Sequence, residues 1–306
     1  MTTLNSFLEI DPSIIRSNIQ KLKNKTSKPL NFMAVVKSDS YGHILNNLAS
    51  DIDDLVDGYG VVRLDEATNL RKVSNKKILL MQGVYSQEDF LLAKEHNLDL
   101  VVHNQHQLKI IIDNKNFNNL WFKVNTGMNR LGFEEDEFLK IYDEYLKDLN
   151  FTLMTHLASS NNKEDPSNEK QFKRFEELCE NLHSGVTKSV GNTGCLINFP
   201  DKCFDWIRVG IGMYGGYIGD NDLETAMTLK SPIINIREIN KGDKVGYDGR
   251  AIAEKKMRIG QLSCKMSIYY LLICRFGQLC RFLLFKFRSL SILGTLSAQF
   301  IPNLLF

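Results

Sequence analysis

The chain contains 306 residues, of which 43% are hydrophobic and 24% are charged, a balance typical of a globular protein with a buried core. Its net charge of +2 is too close to neutral to indicate nucleic acid as a partner. Six cysteines without a CxxC pair argue against a disulfide scaffold, and an N-terminus without a basic and an apolar region argues against a signal peptide, so we expect a cytoplasmic protein.

Short apolar segments rich in β-branched residues alternate with longer amphipathic stretches over most of the chain. The predicted strands cover residues 32–37, 58–62, 77–82, 98–103, 120–125, 151–156, 186–190 and 205–210. The predicted helices cover residues 11–25, 63–73, 86–97, 134–149 and 169–184. Strands that alternate with helices form parallel sheets, and eight of them in about 230 residues match an α/β fold of the (β/α)8 TIM-barrel type. An open doubly wound sheet is the alternative.

The pattern changes after Ser231, where short apolar runs are separated by glycine turns. This change predicts the start of a separate antiparallel β domain, joined to the barrel near residues 229–232. We therefore predict a barrel over residues 1–230 and the start of a C-terminal β domain, incomplete in this chain, over residues 231–260.

Residues 261–306 differ in composition from the rest of the chain, with five basic residues, no Asp or Glu and three of the six cysteines. One interpretation is a membrane segment over residues 289–306, although these include several polar side chains. A second is a basic surface helix, although the basic residues define no polar face. The third, which we favour, is out-of-frame sequence, so we predict neither a native domain nor a membrane association here.

Several side chains able to carry chemistry follow the predicted strands, and a TIM barrel has its active site at the C-terminal ends of its strands. These residues are Lys37, Arg130, His156, Asn192, Thr193, Arg208, Gly210 and Ile211. The glycine-rich segments after the last two strands occur where this fold forms phosphate sites, because a backbone N–H can approach a phosphate where no Cβ intervenes. A lysine beside such a site is suited to a Schiff base with pyridoxal phosphate.

Each of these residues also has a simpler interpretation when it is considered alone. Lys37 would be a solvated charge, and His156 would be a hydrogen-bonded histidine of the core. Arg130 and Arg208 would be partners in ion pairs. Their convergence on one face of the predicted barrel is the observation that favours a functional site.

Two further patterns have weaker support. Residues 210–215 match GxGxxG, but an NAD-binding fold needs further βαβ units and an acidic residue about 20 positions later, and the α/β pattern ends here. His103 and His106 have no carboxylate beside them, and the aspartates of residues 51–57 lack the glycine of an EF-hand. We therefore predict no metal site.

The segments AVVKSDSYGHI (residues 34–44) and WFKVNTGMNRLGF (residues 121–133) closely resemble the cofactor-lysine and arginine motifs of alanine racemases. Residues 152–161, 191–194 and 205–215 resemble the remaining barrel motifs of that family, in the same order. The resemblance extends over roughly residues 4–260. The first two motifs are highly specific together, whereas each of the others alone would be weak.

The resemblance implies that pyridoxal 5'-phosphate is bound as a Schiff base on Lys37. Tyr41 would hydrogen-bond the phosphate of this cofactor. Thr193 and the backbone of Gly210 and Ile211 would complete the phosphate site, with Asn192 beside it.

The resemblance also implies roles around the cofactor ring. Arg208 would face the pyridine nitrogen, and since a guanidinium does not protonate the ring, long-lived carbanions would be disfavoured. Arg130 would contact the phenolic oxygen and the carboxylate of the substrate alanine. Lys123 matches a position that is often carbamylated and that steadies this arginine. His156 would support the ring and Arg208.

Racemisation needs proton transfer on both faces of Cα. By resemblance Lys37 would act on the D face, in an enzyme that supplies D-alanine for the cell wall. In the family's homodimer, a tyrosine in a Gly-Tyr-Ala-Asp-Gly segment of the partner subunit acts on the L face. That segment should follow residues 253–260 but is absent, and Tyr269 and Tyr270 lack its context. We therefore expect impaired or absent activity, with a non-catalytic pyridoxal phosphate carrier or a misfolding remnant as alternatives.

Overall fold

A computed structural model of the chain describes residues 6–114, 117–220, 222–249, 251–262 and 295–299. The chain divides into two compact units, and the larger unit is Pro12–Glu224. The smaller unit combines Met1–Asp11 with Thr225–Phe306. The first residues belong with the C-terminal part because strand β1 (Phe7–Ile10) pairs with a strand that follows the barrel in the sequence. The division therefore lies slightly before the one that the sequence pattern predicts.

Eight parallel strands form the larger unit. They are β2 (Asn31–Val35), β3 (Gly58–Val61), β4 (Lys77–Leu80), β5 (Asp99–Val102), β6 (Leu120–Lys123), β7 (Thr152–Met154), β8 (Thr187–Ser189) and β9 (Trp206–Val209). Their order in the sheet is β8-β7-β6-β5-β4-β3-β2-β9. Arg208 N donates to Gly191 O at 3.0 Å and Ser189 Oγ donates to Trp206 O at 2.8 Å, so hydrogen bonds bridge the remaining gap. The predicted TIM-like barrel is confirmed, and the open doubly wound sheet is excluded.

Helices cover the outside of the barrel and begin at its C-terminal end. They are α1 (Pro12–Lys23), α2 (Lys37–Gly42), α3 (Leu45–Ile52), α4 (Leu64–Arg71), α5 (Gln87–Glu95), α6 (Gln105–Asp113), α7 (Glu135–Ile141), α8 (Pro166–Glu180) and α9 (Thr193–Asn198). Of these, α2 is a short left-handed turn directly after β2 and not a right-handed helix. Side-chain caps fix several helix starts: Ser86 Oγ accepts from Asp89 N at 3.1 Å in α5, as the sequence predicts. Asp165 caps α8, which therefore starts a little earlier than predicted.

A polar network and an apolar layer fill the barrel interior towards the N-terminal ends of its strands, which we call the lower end. Lys77 Nζ lies 2.7 Å from Asp99 Oδ2, and the same oxygen accepts from Trp121 Nε1 at 2.8 Å. A layer of buried apolar side chains contains Met33, Leu79, Val101, Trp121 and Met154. Because strand side chains alternate, residues two positions further along these strands also face the interior, nearer the C-terminal ends. At that level His103, Lys123 and His156 are polar whereas Val35 and Met81 are apolar, and Lys123 and His156 belong to the candidate site.

The smaller unit is antiparallel, as the sequence predicts for the region after residue 231. Its long strand β10 (Met227–Ile239) pairs with β1, with β13 (Met257–Leu262) and with β14 (Thr295–Gln299). A short hairpin joins β11 (Lys244–Val245) and β12 (Ala251–Ile252). The interpretations of residues 261–306 concern a segment that lies mostly outside the described residues. Among the residues that are described, no helix has both the length and the apolar character that crossing a bilayer requires.

Candidate active site

The chain leaves strand β2 in a left-handed turn that carries Lys37. Residues 38–41 have φ between 52° and 57°, although none of them is glycine. A left-handed helical conformation costs an L-residue roughly 1–2 kcal/mol, so such a run persists only where its surroundings hold it. Lys37 Nζ lies 5.8 Å from the centre of the Tyr41 ring in the same turn. Burial and the charge of Arg130 lower the pKa of Lys37, whereas Glu66 acts in the opposite direction.

The phenol of Tyr41 lies against the loop that follows β9. A Cβ on Gly210 would lie 2.6 Å from Tyr41 Oη, so only glycine leaves room for this approach. Burial raises the pKa of Tyr41 to about 12, and its hydroxyl is therefore a hydrogen-bond donor at neutral pH. Tyr214 packs beneath it with ring centroids 5.0 Å apart, and Tyr214 Oη donates to Val35 O at 3.2 Å.

The loops after β8 and β9 meet beside this tyrosine. Asn192 begins α9, and its Oδ1 accepts from Cys195 N at 3.0 Å and from Ser160 Oγ at 2.7 Å. Thr193 Oγ1 accepts from Gly212 N at 3.3 Å, which leaves the hydroxyl proton free to be donated to a ligand. These loops thus present hydroxyl donors and glycine backbone at one end of the barrel.

Arg208 is buried without a carboxylate partner among the described residues. Its guanidinium donates to Thr155 O at 2.7 Å and to the carbonyl and hydroxyl oxygens of Ser189. Burial lowers its pKa to about 10, so the side chain keeps its positive charge at neutral pH. Among the described residues, only the dipoles of neutral groups, chiefly carbonyls and a hydroxyl, stabilise this charge. It can therefore interact with an anionic or electron-rich group bound at the C-terminal end of the barrel, here called the barrel mouth.

His156 lies next to this arginine. Its Nδ1 lies 3.4 Å from Arg208 Nη2. Burial lowers the pKa of His156 well below 6.5, and the charges of Arg208 and Lys123 lower it further. The ring is therefore neutral at pH 7, with Nδ1 as acceptor from the arginine and Nε2–H as donor, an assignment that follows from this hydrogen bond.

Lys123 is the last residue of β6 and is only 7% exposed. Burial lowers its pKa to about 8, with further contributions from the charges of Arg208 and Arg130. A substantial part of this amine is therefore neutral near pH 8, unlike an exposed lysine. A neutral lysine amine is a nucleophile, which makes this side chain chemically unusual.

Arg130 lies on an exposed loop after β6. Asn125 shapes that loop, since its Oδ1 accepts from Asn129 N at 2.9 Å and its Nδ2 donates to Glu134 Oε1 at 2.8 Å. The charge of Arg130 influences the pKa values of Lys37, Lys123 and His156 from there.

The structure therefore brings the predicted site residues to one end of the barrel. They are Lys37, Tyr41, Lys123, Arg130, His156, Asn192, Thr193, Arg208, Gly210 and Ile211. The sequence reasoning missed Glu66 and Tyr214, which hold the lysine turn. The only sequence signal for Glu66 was its place in the first turn of a predicted helix. Within the described residues, no group of three or more His, Cys, Asp or Glu side chains is arranged to hold a metal ion.

The site is rich in positive charge and in hydrogen-bond donors. Lys37, Lys123 and Arg208 converge here, and Arg130 borders them. Such a set is suited to a ligand with several anionic groups, such as a phosphate and a carboxylate. A lysine of lowered pKa can also bond covalently to a carbonyl.

Comparisons with known proteins show which family the chain belongs to. Residues 10–218 match the family model of the alanine racemase N-terminal domain, and residues 226–264 match that of the alanine racemase C-terminal domain. The alanine racemase of Shewanella denitrificans is 34% identical over 268 residues, which cover 82% of this chain and 73% of that protein.

Solved structures show the same architecture. The alanine racemase of Acinetobacter baumannii has a TM-score of 0.80 at 27% identity, covering 85% of this chain and 76% of that one. The alanine racemase of Bartonella henselae, a structure with covalently bound pyridoxal phosphate, shares the fold with a TM-score of 0.74 at 22% identity, covering 85% of this chain and 75% of that one. On the family models and the identity to relatives, the chain belongs to the alanine racemase family.

Proposed function

We propose that this chain is a pyridoxal phosphate-dependent amino-acid racemase that binds its cofactor on Lys37 and acts on alanine. The observation that carries the proposal is the arrangement of Lys37, Tyr41 and Arg208 around the barrel mouth. The cofactor has an aldehyde, a phosphate and a pyridine ring. A lysine of lowered pKa, a neutral phenol beside a glycine and a buried uncompensated guanidinium fit these three groups respectively.

The phosphate would be held by the two loops that meet beside Tyr41. The Tyr41 hydroxyl, the Thr193 hydroxyl and the backbone of Gly210 and Ile211 would form its site, with Asn192 fixing the start of α9 next to it. Adding a Cβ at Gly210 would displace the Tyr41 hydroxyl, so the glycine is part of the fit. This donor set matches an anion that carries several acceptor oxygens.

Arg208 would lie at the pyridine nitrogen, and His156 would hold that arginine and the ring. An arginine does not give up its proton, so it leaves the ring nitrogen unprotonated. When bound, the cofactor increases the acidity of the Cα proton of an attached amino acid. The Lys37 amine, whose pKa is lowered, would then move that proton on one face of Cα.

Arg130 would bind the carboxylate of alanine, and Lys123 would steady Arg130 after carbamylation. Carbamylation joins the neutral amine nitrogen to the carbon of CO2 and releases one proton. At pH 8 an amine with a pKa of about 8 is about half neutral, whereas one of pKa about 10.4 is less than about 1% neutral. The carbamate anion would also offset the positive charges around Lys123.

The domain assignment follows the same proposal. Residues 1–230 would be the cofactor-binding barrel, residues 231–260 the start of the C-terminal β domain, and residues 261–306 an aberrant tail. Full racemisation would occur in the cytoplasm in a homodimer and would supply D-alanine for cell-wall synthesis.

A second candidate is a barrel that holds pyridoxal phosphate without turnover. The observation that favours it is the extent of the C-terminal family match, which ends at residue 264, before the segment in which the family has its second proton-transfer tyrosine. In that case Lys37 still binds the cofactor, but proton transfer on the second face of Cα is lacking.

The experiment is Cα-proton exchange of D- and L-alanine in D2O, followed by NMR with purified protein and added pyridoxal phosphate. Exchange of both enantiomers with racemisation supports the racemase. Exchange of D-alanine alone indicates that Lys37 works as a one-sided base. Exchange of neither, with cofactor bound, supports the carrier.

Borohydride reduction and peptide mass spectrometry test the linkage itself. The cofactor mass should appear on Lys37 and should vanish in Lys37→Ala but remain in Lys94→Ala, a matched change of an exposed lysine on α5. A protein that binds no cofactor on Lys37 would refute both candidates.

A further inference from the structure

Glu66 in the first turn of α4 bonds two separate parts of the barrel. Its Oε2 accepts from Val62 N and from Arg63 N, both at 3.1 Å. These two bonds are local and form the usual cap of a helix that begins with an acidic residue at the third position. Its Oε1 accepts from Ser38 N at 2.6 Å, which joins α4 to the turn after β2. One carboxylate therefore satisfies three backbone amides at the ends of β2 and β3.

The bond to Ser38 reaches the strained part of the site. The Ser38 amide is the first N–H after Lys37, and Ser38 begins the left-handed run with φ 56°. None of the residues in the run is glycine, and Asp39 is the one residue of the run whose type visits this conformation, usually as a single residue. Asp39 Oδ1 accepts from Leu45 N at 2.8 Å and holds the far end of the turn. Glu66 holds the near end, where Lys37 leaves the strand.

The charge of Glu66 also acts on Lys37. Arg130 and burial lower the pKa of this lysine, and Glu66 is the carboxylate that opposes them. The same side chain thus bonds the backbone amide next to Lys37 and raises the affinity of that lysine for a proton. A helix cap alone would have neither effect.

We propose that Glu66 is a positioning residue, which holds the Lys37 turn in its left-handed conformation by bridging the ends of β2 and β3. The inference rests on the proposed function only in its consequence for the cofactor. The geometric part, an amide bond that fixes residues 38–41, is a property of the chain without ligands.

Two variants distinguish the effect of the length of the Glu66 side chain from the effect of its charge. Glu66→Gln keeps the length but replaces one acceptor oxygen with an NH2 donor, which faces a backbone donor. Glu66→Asp keeps the charge but is one methylene shorter, so it cannot reach Ser38 N while it caps α4. The matched control is Ser86→Ala, which removes the side-chain cap of the neighbouring helix α5 and leaves the lysine turn intact.

The first measurement is amide hydrogen exchange of the cofactor-free proteins, read on the peptide of residues 36–45. We expect exchange at least about tenfold faster in both Glu66 variants than in the wild type, a factor that corresponds to about 1.4 kcal/mol. In Ser86→Ala this peptide should be unchanged. If the Glu66 variants exchange here at the wild-type rate, the positioning role is refuted. Should Glu66→Gln fail to fold, Glu66→Asp decides the question, because it retains the acid in the first turn of the helix.

The second measurement is the absorbance of lysine-bound pyridoxal phosphate during cofactor and pH titrations. We expect both variants to bind the cofactor at least about tenfold more weakly, and the pH at which the absorbance changes to move in Glu66→Gln. A purely structural cap would lower the unfolding temperature without moving this pH. If the wild type itself forms no adduct on Lys37, the proposed function fails, while the exchange comparison still decides the role of Glu66.

Discussion

Replacing Lys123 with methionine should stabilise the barrel, because this ammonium is buried and no carboxylate of the described residues pairs with it. Burial lowers its pKa from 10.5 to about 8, which corresponds to about 3 kcal/mol of unfolding free energy lost when the amine is protonated. Methionine has a similar length and no charge to desolvate. We expect Lys123→Met to raise the unfolding free energy at pH 7 by about 2–3 kcal/mol.

The sign of the pH dependence follows from the lowered pKa. Between pH 8 and 10.5 the unfolded chain binds more protons at this lysine than the folded chain does, so the stability of the wild type rises with pH. Below pH 8 the full destabilisation by Lys123 is present, and above pH 10.5 it has disappeared. The advantage of Lys123→Met should therefore be largest at pH 7 and should shrink towards pH 10.

Urea unfolding of the cofactor-free protein provides the assay, with buffers freed of CO2 so that no carbamate forms. Tryptophan fluorescence reports on the barrel, since both tryptophans, Trp121 and Trp206, lie in its strands. The control is Lys77→Met at the opposite end of the barrel, which leaves buried Asp99 without its cation and should destabilise by about 2 kcal/mol. The reasoning would be refuted if Lys123→Met were no more stable than the wild type at pH 7, or if it gained the same unfolding free energy at pH 7 and at pH 10.

Three further substitutions test the packing of the barrel. Gly210→Ala places a Cβ 2.6 Å from Tyr41 Oη and should weaken pyridoxal phosphate binding at least about tenfold in an absorbance titration, and unchanged affinity would contradict the fit. Trp121→Phe removes the 2.8 Å bond to Asp99 and should lower the unfolding free energy by about 1–2 kcal/mol, whereas a gain in urea resistance would contradict it. Asn18→Ala removes a buried amide that bonds three backbone groups after β9 and should cost about 3 kcal/mol, measured by thermal unfolding; a loss within the range of a surface change would show that these bonds contribute little.

The barrel could be predicted from the sequence because each strand is a short apolar run bounded by polar residues. All eight predicted strands are present, and each is shorter than predicted at its C-terminal end. Residues predicted to end the strands, such as Lys37 and His156, lie just beyond the observed strand ends and belong to the candidate site. Helix α6 was not predicted, although Asn104 is a good cap and accepts from Gln107 N at 3.0 Å. The sequence therefore does contain a start signal for this helix.

The sequence predicts where in the fold the candidate site lies, but not the backbone conformation and contacts that arrange its residues. The strand-end rule located Lys37, His156 and Arg208, because all parallel strands end on the same face. The left-handed run has no sequence signal strong enough to predict it, since none of its residues is glycine, and it depends on contacts with distant parts of the chain. Glu66 supplies one of these contacts from the first turn of α4, and Tyr214 supplies another. Contacts between residues far apart in the sequence produce no local hydrophobic periodicity, so they cannot be predicted from the sequence pattern.

Buried charges are paired at one end of the barrel interior and unpaired at the other, among the described residues. This difference connects the fold with its chemistry. At the lower end, Asp99 is paired with Lys77 and with an indole N–H, so the network is neutral without any ligand. At the upper end, Lys123 and Arg208 are buried without a carboxylate among the described residues, and their lowered pKa values show that the protein bears a cost for holding them there. A phosphate, a substrate carboxylate or a carbamate would each relieve that cost. Anion binding at this end would therefore increase the unfolding free energy. The same buried positive charges that lower the stability of the barrel thus increase its affinity for anionic ligands.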